Sequence, residues 1–261
     1  MARLVKRPRH SQILAFCAED PIERVFLEDV ARRGLGRFAG VREGGRLTAL
    51  LHHGANLVPS GPGCAAFAEL VAGSDPRMVV GEEGAVTELW DLVRSAFREP
   101  LDDRPGQPVY VLDEPPPSGR SGLRPARPDD LGPLVVAAAA AYREEVGVDA
   151  YARDPALFEW RTRAQIEEGR SWLWSEDGRI LFKAEASAWT PGAVQLQQVW
   201  VEPELRGQGY GKRGLADLCR LLLETTPAVC LFVRPENAPA IALYDSIRMR
   251  RTITYRSLIF G

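Results

Sequence analysis

The segment from Val194 to Tyr244 constrains this chain more than any other. An apolar strand, Val199-Trp200-Val201, enters a short turn, Glu202 to Leu205, and then Arg206-Gly207-Gln208-Gly209-Tyr210-Gly211. Helix-forming residues follow from Lys212 to Glu224, then a strand from Val229 to Val233 and a helical segment opening at Asn237. Strand, glycine-rich turn and helix in that order make an anion site, because glycines allow close backbone approach and the first N–H groups of a helix point at negative charge. Spacing decides which anion. A Walker-type phosphate loop needs Ser or Thr after Gly-Lys to reach magnesium, whereas Gly211-Lys212 is followed by Arg213. A dinucleotide fingerprint is formally present as Gly209, Gly211 and Gly214 with Glu236 downstream, but that fingerprint follows its strand directly, and here Glu202 to Gln208 intervene. A turn without a ligand has no need of three glycines flanked by Arg206, Lys212 and Arg213.

A length of 261 residues leaves room for two domains. A net charge of -2 gives no basic field for nucleic acid. His10, His52 and His53 have no carboxylate or cysteine at ligand spacing, so no metal is expected. Cys17, Cys64, Cys219 and Cys230 lie in apolar runs without C-x-x-C spacing and read as buried thiols. Met1 to His10 lacks the apolar core of a secretory leader, and no apolar run approaches the roughly 20 residues that span a bilayer. The expected location is the cytoplasm, away from membranes, with a homodimer as the assembly to consider.

In chain order, two helical pieces broken at Pro21 are predicted over Ser11 to Arg33, with strands at Arg37–Arg42 and Arg46–Val58 joined by Glu43-Gly44-Gly45. Pro59 to Gly63 breaks the chain. A helix (Cys64–Val71), a strand (Arg77–Val80), a helix (Ala85–Phe97) and a strand (Pro108–Leu112) close a mixed α/β domain, residues 1–113. Residues 114–122, three prolines and then a Ser/Gly run, read as a linker, stiff at first and flexible after. Residues 123–261 form a second α/β domain. It opens with a strand (Leu123–Ala126) and a helix (Leu134–Tyr142) whose pattern is interrupted at Glu144 to Val148. A helix from Pro155 to Glu168, capped by Asp154, and a hairpin across Glu176-Asp177-Gly178 follow, and Arg250–Phe260 alternates like a strand pair. The two halves share one order of elements, so the first reads as a degenerate copy of the second that has lost its arginine-glycine turn.

The spacing Arg206, Gly209, Gly211 resembles the pyrophosphate-binding loop of the GCN5-related N-acetyltransferases (GNAT), and the preceding V-W-V-E-P-E-L resembles that family's fourth strand and turn. Asn237 to Tyr244 is similar to the family's second signature, N-x-x-A-x-x-L-Y. The resemblance covers about Leu123 to Phe260. It implies an α/β fold with a mixed sheet and splayed central strands. It also implies acetyl-CoA as co-substrate and an amine acceptor, small molecule or protein. The pyrophosphate would lie on Arg206, Gly207, Gln208, Gly209, Tyr210, Gly211 and Lys212, and the pantetheine arm along Gln198, Val199, Trp200 and Val201, with Asn237 a further cofactor contact.

Two proton problems follow from that chemistry. An alkyl amine is mostly protonated near neutral pH and needs a general base, and a departing thiolate of pKa about 8.5 benefits from a general acid. Tyr244 matches the family's usual acid. Where better-known members carry a catalytic glutamate this chain has Gln195, which cannot take a proton; Glu185 on the neighbouring strand is the replacement expected as base, directly or through water, with Glu144 and Glu145 next in order and otherwise substrate-binding carboxylates. The family's Gly-Phe after the tyrosine is Arg248-Met249 here, from which a reshaped turn is expected. A non-catalytic acyl-CoA-binding or regulatory module and an aminoacyl-tRNA-using transferase are the alternatives. The intact loop and the balanced charge argue against the latter.

Overall fold

The computed structural model describes residues 2–147 and 149–260. The first half contains β1 (Arg3–Val5), α1 (His10–Cys17), α2 (Val25–Arg32), β2 (Arg37–Glu43), β3 (Arg46–His53) and β4 (Asn56–Ser60). Gly44 and Gly45 take φ of 57° and 89°, the left-handed pair that a two-residue hairpin requires. The single strand expected over Arg46–Val58 is divided, because the chain turns at Gly54-Ala55 and the Gly54 N–H bonds back to the Asn56 carbonyl at 3.2 Å. A 3-10 turn (Cys64–Phe67), α3 (Ala68–Val71), β5 (Met78–Glu82), α4 (Glu83–Val93) and β6 (Asp102–Leu112) complete this half.

The second half repeats the order with β7 (Arg124–Pro125), α5 (Leu131–Val146), α6 (Ala150–Arg153), α7 (Pro155–Glu167), β8 (Ser171–Glu176), β9 (Arg179–Trp189) and β10 (Val194–Val201). Then come α8 (Tyr210–Leu223), β11 (Val229–Phe232), α9 (Ala238–Ser246) and β12 (Arg250–Ile259). Asp154 caps α7 by accepting the Leu157 N–H at 3.0 Å, with Pro155 next to it. Two expectations are corrected. The helical pattern is not interrupted at Glu144: good helix formers carry α5 through Glu144 and Glu145 to Val146, and Gly147 (φ 77°) ends it. Val148, the last residue of the expected interruption, lies outside the described residues. The strand pair expected at Arg250–Phe260 is one long strand, since the run contains no turn-forming residue.

Among the described residues twelve strands form one sheet in the order β1-β2-β3-β4-β5-β12-β6-β11-β10-β9-β8-β7. Read inward from either edge, the order is five consecutive strands of one half and then a strand of the other. Thus β12 completes the first half's run, pairing antiparallel with β5, and β6 completes the second half's run, pairing antiparallel with β11. The exchanged strands also pair with each other over Arg250↔Val111 to Ile259↔Asp102.

Alternation along these strands fills separate cores. Leu215, Leu218 and Leu222 of α8 pack on Phe182, Ala184, Leu196 and Leu231, and α5 lays Leu134, Ala137 and Ala141 on Leu173, Ile180 and Trp200. Val25 of α2 crosses from the first half onto Ala188, Cys230 and Val109, near the centre of the sheet. Cys17, Cys64, Cys219 and Cys230 are buried free thiols. The Ser118–Ser121 run is not free, as its flexibility in sequence had implied: Asp217 of α8 accepts N–H bonds from Gly119 and Ser121, both at 2.7 Å. Among the described residues no helix is long and apolar enough to cross a membrane.

Candidate active site

Strands β10 and β11 run parallel but pair only at Val194↔Val229 and Gln195↔Cys230. Beyond Gln195 that edge of β10 is unpaired while its other edge stays on β9, down to Val201↔Phe182. The register with β9 shifts between Gln197 and Trp200, and Gln198 has φ 48°, so β10 carries a bulge at the opening. A fully buried lysine pins it: Lys183 Nζ donates to Gln198 Oε1 at 2.8 Å and to Glu185 Oε1 at 2.5 Å. Trp200 is turned into the α5 core, so of the expected pantetheine residues it has only its main chain to offer a ligand.

At the end of β10 the glycine turn is open. Gly207 and Gly209 have φ of 76° and 87°, and a Cβ on either would meet nothing within 4 Å. Among the described residues, the N–H groups of Gly207, Gly209, Tyr210, Gly211 and Lys212 have no hydrogen-bond partner. They face outward at the start of a 14-residue helix, where the macrodipole adds positive potential. Gly214 brings this helix close to the sheet, since a Cβ there would lie 2.6 Å from the Phe182 ring. Arg206 donates to the Val201 carbonyl at 3.1 Å and pairs with Glu144 at 2.8 Å, with both side chains about half exposed. Such a pair is weak and can be displaced. Arg213 is turned away, donating to the carbonyls of Gly119 and Arg120.

The first half carries a turn of similar backbone. Gly61 and Gly63 have φ of 81° and 91°, and Gly63 precedes a helical turn as Gly209 does. Here the anion position is filled from within: Glu88 Oε2 accepts the N–H groups of Gly63 (3.0 Å) and Cys64 (3.1 Å). The adjoining hollow, about 470 Å3, is lined by Asp20, Glu23, Glu82 and Glu88 against a single Arg24. Burial raises the Glu23 carboxyl's pKa, opposed by its bonds from Ser60 and Arg24. A pyrophosphate would be repelled there. In the second half a hollow of about 490 Å3 lies between α5, the β8–β9 turn and Pro203, and it contains none of the groups described next.

At the far end of the opening, Asn237 caps α9 by accepting the Ala240 N–H at 3.2 Å. This places Tyr244 two turns along with its ring buried, 5.3 Å from the ring of Tyr110 on β6. Burial pushes the Tyr244 pKa well up, aided by the nearby Glu145 carboxylate, so the phenol stays protonated and able to donate. Its hydroxyl makes no hydrogen bond to a described residue. Gln195 is occupied by Ser187, whose hydroxyl accepts its amide at 2.9 Å.

The three expected carboxylates are separated by their partners. Glu144 is held by Arg206 beside the glycine turn. Glu185 is held by Lys183 and, at 3.4 Å, by Gln197. Glu145 alone of the three makes no side-chain hydrogen bond or ion pair among the described residues. It is open to solvent yet ringed by protein; burial raises its pKa, opposed foremost by Arg104 and then by Arg234 and Lys183. Arg104 and Arg234 are site residues that the sequence reading missed. The available signal was Asp102-x-Arg104, opposite charges two apart on one face of a strand, but nothing local places that strand beside β11.

Residues 136–247 match the model of the acetyltransferase (GNAT) family. Residues 36–134 match that of a domain of unknown function, DUF4081. No curated protein matches the chain. Solved structures share its fold over nearly its whole length. A GNAT-family acetyltransferase from Colwellia psychrerythraea has a TM-score of 0.59 at 11% identity, with 100% of both chains covered. A GCN5-related N-acetyltransferase from Sphaerobacter thermophilus gives 0.58 at 20% identity, covering 98% of this chain and 94% of that one. A tandem GNAT protein from the clavulanic acid biosynthesis pathway gives 0.57 at 15% identity, over 100% and 99%. Residues 136–247 are thus a domain of the acetyltransferase (GNAT) family, and the DUF4081 match precedes it.

Proposed function

We propose that the protein is an acetyl-CoA-dependent N-acetyltransferase acting on a primary amine. The observation that carries this reading is the set of unpartnered N–H groups of Gly207 and of Gly209 to Lys212, next to the unpaired edge of β10 and in the same opening as the free Tyr244 hydroxyl. The pyrophosphate of acetyl-CoA lies on those N–H groups, with Lys212 and Arg206 as cations once Glu144 is displaced. The pantetheine arm extends the sheet along Gln198 to Val201, and Asn237 borders it from α9. The acceptor amine, deprotonated by a carboxylate on the α5 side of the sheet, attacks the thioester carbonyl. A C–N bond forms, the C–S bond breaks as the adduct collapses, and Tyr244 protonates the departing sulfur. Glu145 and Glu185 are the carboxylates on that side.

Calorimetry with acetyl-CoA and a thiol-release assay against a panel of amines test this reading. Saturable binding with amine-dependent release of CoA is expected. Binding without release would make the chain an acyl-CoA-binding module instead, and no binding would remove the CoA site.

A further inference from the structure

The end of α5 is clasped from both halves of the chain, by Arg104 of β6 and by Arg234 after β11. Glu145 sits in the last turn of the helix, where main-chain carbonyls have no intrahelical partner. Its carbonyl accepts from Arg104 Nη2 at 3.0 Å and from Arg234 Nη2. Asp102 ties the two arginines together, accepting from Arg104 Nε at 2.7 Å and from Arg234 Nη2 at 3.2 Å. Asp102 and Arg104 belong to β6, the strand the first half gives to the second, and Arg104 is nine-tenths buried. Two guanidinium groups at a helix C-terminus also complement its dipole. The clasp fixes the main chain of Glu145 and leaves its carboxylate unbonded. The charged groups acting on that carboxylate are Arg104 of β6, Arg234 after β11, and Lys183 and Glu185 of β9, with Tyr244 of α9 near it; Asp102 is paired with both arginines, and Arg143 and Glu144 precede Glu145 on its own helix.

We propose that the first half completes the acceptor end of the second half's cleft: Arg104 positions Glu145, and Glu145 is the carboxylate that takes the proton of the acceptor amine. Glu185 is then a structural partner of Lys183 that holds the β10 bulge. The proposal rests on the N-acetyltransferase reading and assigns its base. The balance closes: Glu145 accepts one ammonium proton and releases it to solvent. The neutral amine attacks, Tyr244 protonates the thiolate, and the second nitrogen proton restores Tyr244. Arg104 touches no substrate and is a positioning residue.

The test is the pH dependence of kcat/KM for the full chain with acetyl-CoA and its best amine. Glu145→Gln removes no hydrogen bond and is expected to lower kcat by about a hundred-fold or more, as loss of a general base does, with acetyl-CoA affinity kept. Arg104→Gln removes the cation that most favours ionised Glu145, so the acidic limb moves to higher pH: about ten-fold less activity on that limb, and about two-fold less on the alkaline plateau. Arg104→Lys keeps the charge and returns the limb to its wild-type place. It also covers the case in which Arg104→Gln does not fold, since a limb misplaced in Arg104→Lys overturns the assignment. Wild-type turnover with limbs unmoved in both arginine variants, or full activity in Glu145→Gln, removes this proposal and leaves the acetyltransferase reading intact. A wild-type chain that releases no CoA with any amine overturns both.

Discussion

Arg248 has φ 66°, a left-handed conformation that a side chain bearing Cβ adopts at a cost of about 1–2 kcal/mol. The turn after α9 therefore keeps the geometry that suits glycine and is not reshaped, contrary to what the substitution had implied. Arg248→Gly should stabilise the fold by about 0.5–1 kcal/mol after glycine's own entropy cost, read as a higher urea midpoint; an unchanged midpoint would mean that Arg248 has compensating contacts. His52 is buried between Phe26 and Phe38, and burial, helped by the charge of His53, lowers its pKa from 6.5 to about 4. The unfolded chain thus binds a proton between those values while the fold does not. Stability on the order of 3 kcal/mol is lost as pH falls from 6.5 to about 4, and none above 6.5. Denaturant titrations of His52→Leu should lack that acid slope. Tyr244→Phe should lower kcat at least about a hundred-fold while the calorimetric affinity for acetyl-CoA stays within two-fold; undiminished turnover would acquit the hydroxyl. Arg206, Asn237 and Tyr244 were legible in the sequence because their spacing is local, set by one turn and one helix. The neighbours of Glu144 and Glu145 were not, because Arg206, Arg104 and Arg234 come from elements distant in the chain.

At the level of elements, two turns of like backbone have opposite fates. The turn before α8 leaves the N–H groups of Gly207 and Gly209 free, whereas the turn at Gly61 to Cys64 gives those of Gly63 and Cys64 to Glu88 of α4. Calorimetry should therefore return one acetyl-CoA per chain, and Gly209→Val should abolish it by forcing a β-branched residue to φ 87°. A second equivalent bound by the wild type would show that Glu88 yields its place. Helix α8 reaches β9 only because Gly214 has no side chain, and Gly214→Ala should cost about 1–3 kcal/mol in denaturant unfolding, the usual penalty of overpacking. Element types were readable from periodicity and caps such as Asp154 and Asn237. The length of α5 was not, because Arg143-Glu144-Glu145 carries no apolar period although its residues favour helix.

Across the whole molecule, sequence showed two similar halves but not that they exchange strands. A strand's pattern records which of its faces is buried, not which neighbour it pairs with. One consequence concerns synthesis. When the first half leaves the ribosome, β5 has a bare edge whose partner, β12, is encoded last among the twelve strands, while β6 waits for β11. Neither half can close its sheet alone, so bare edges persist through most of translation and the burden on chaperones falls on the whole chain at once. Release of the last strand, not completion of the first half, then marks the moment at which both halves fold.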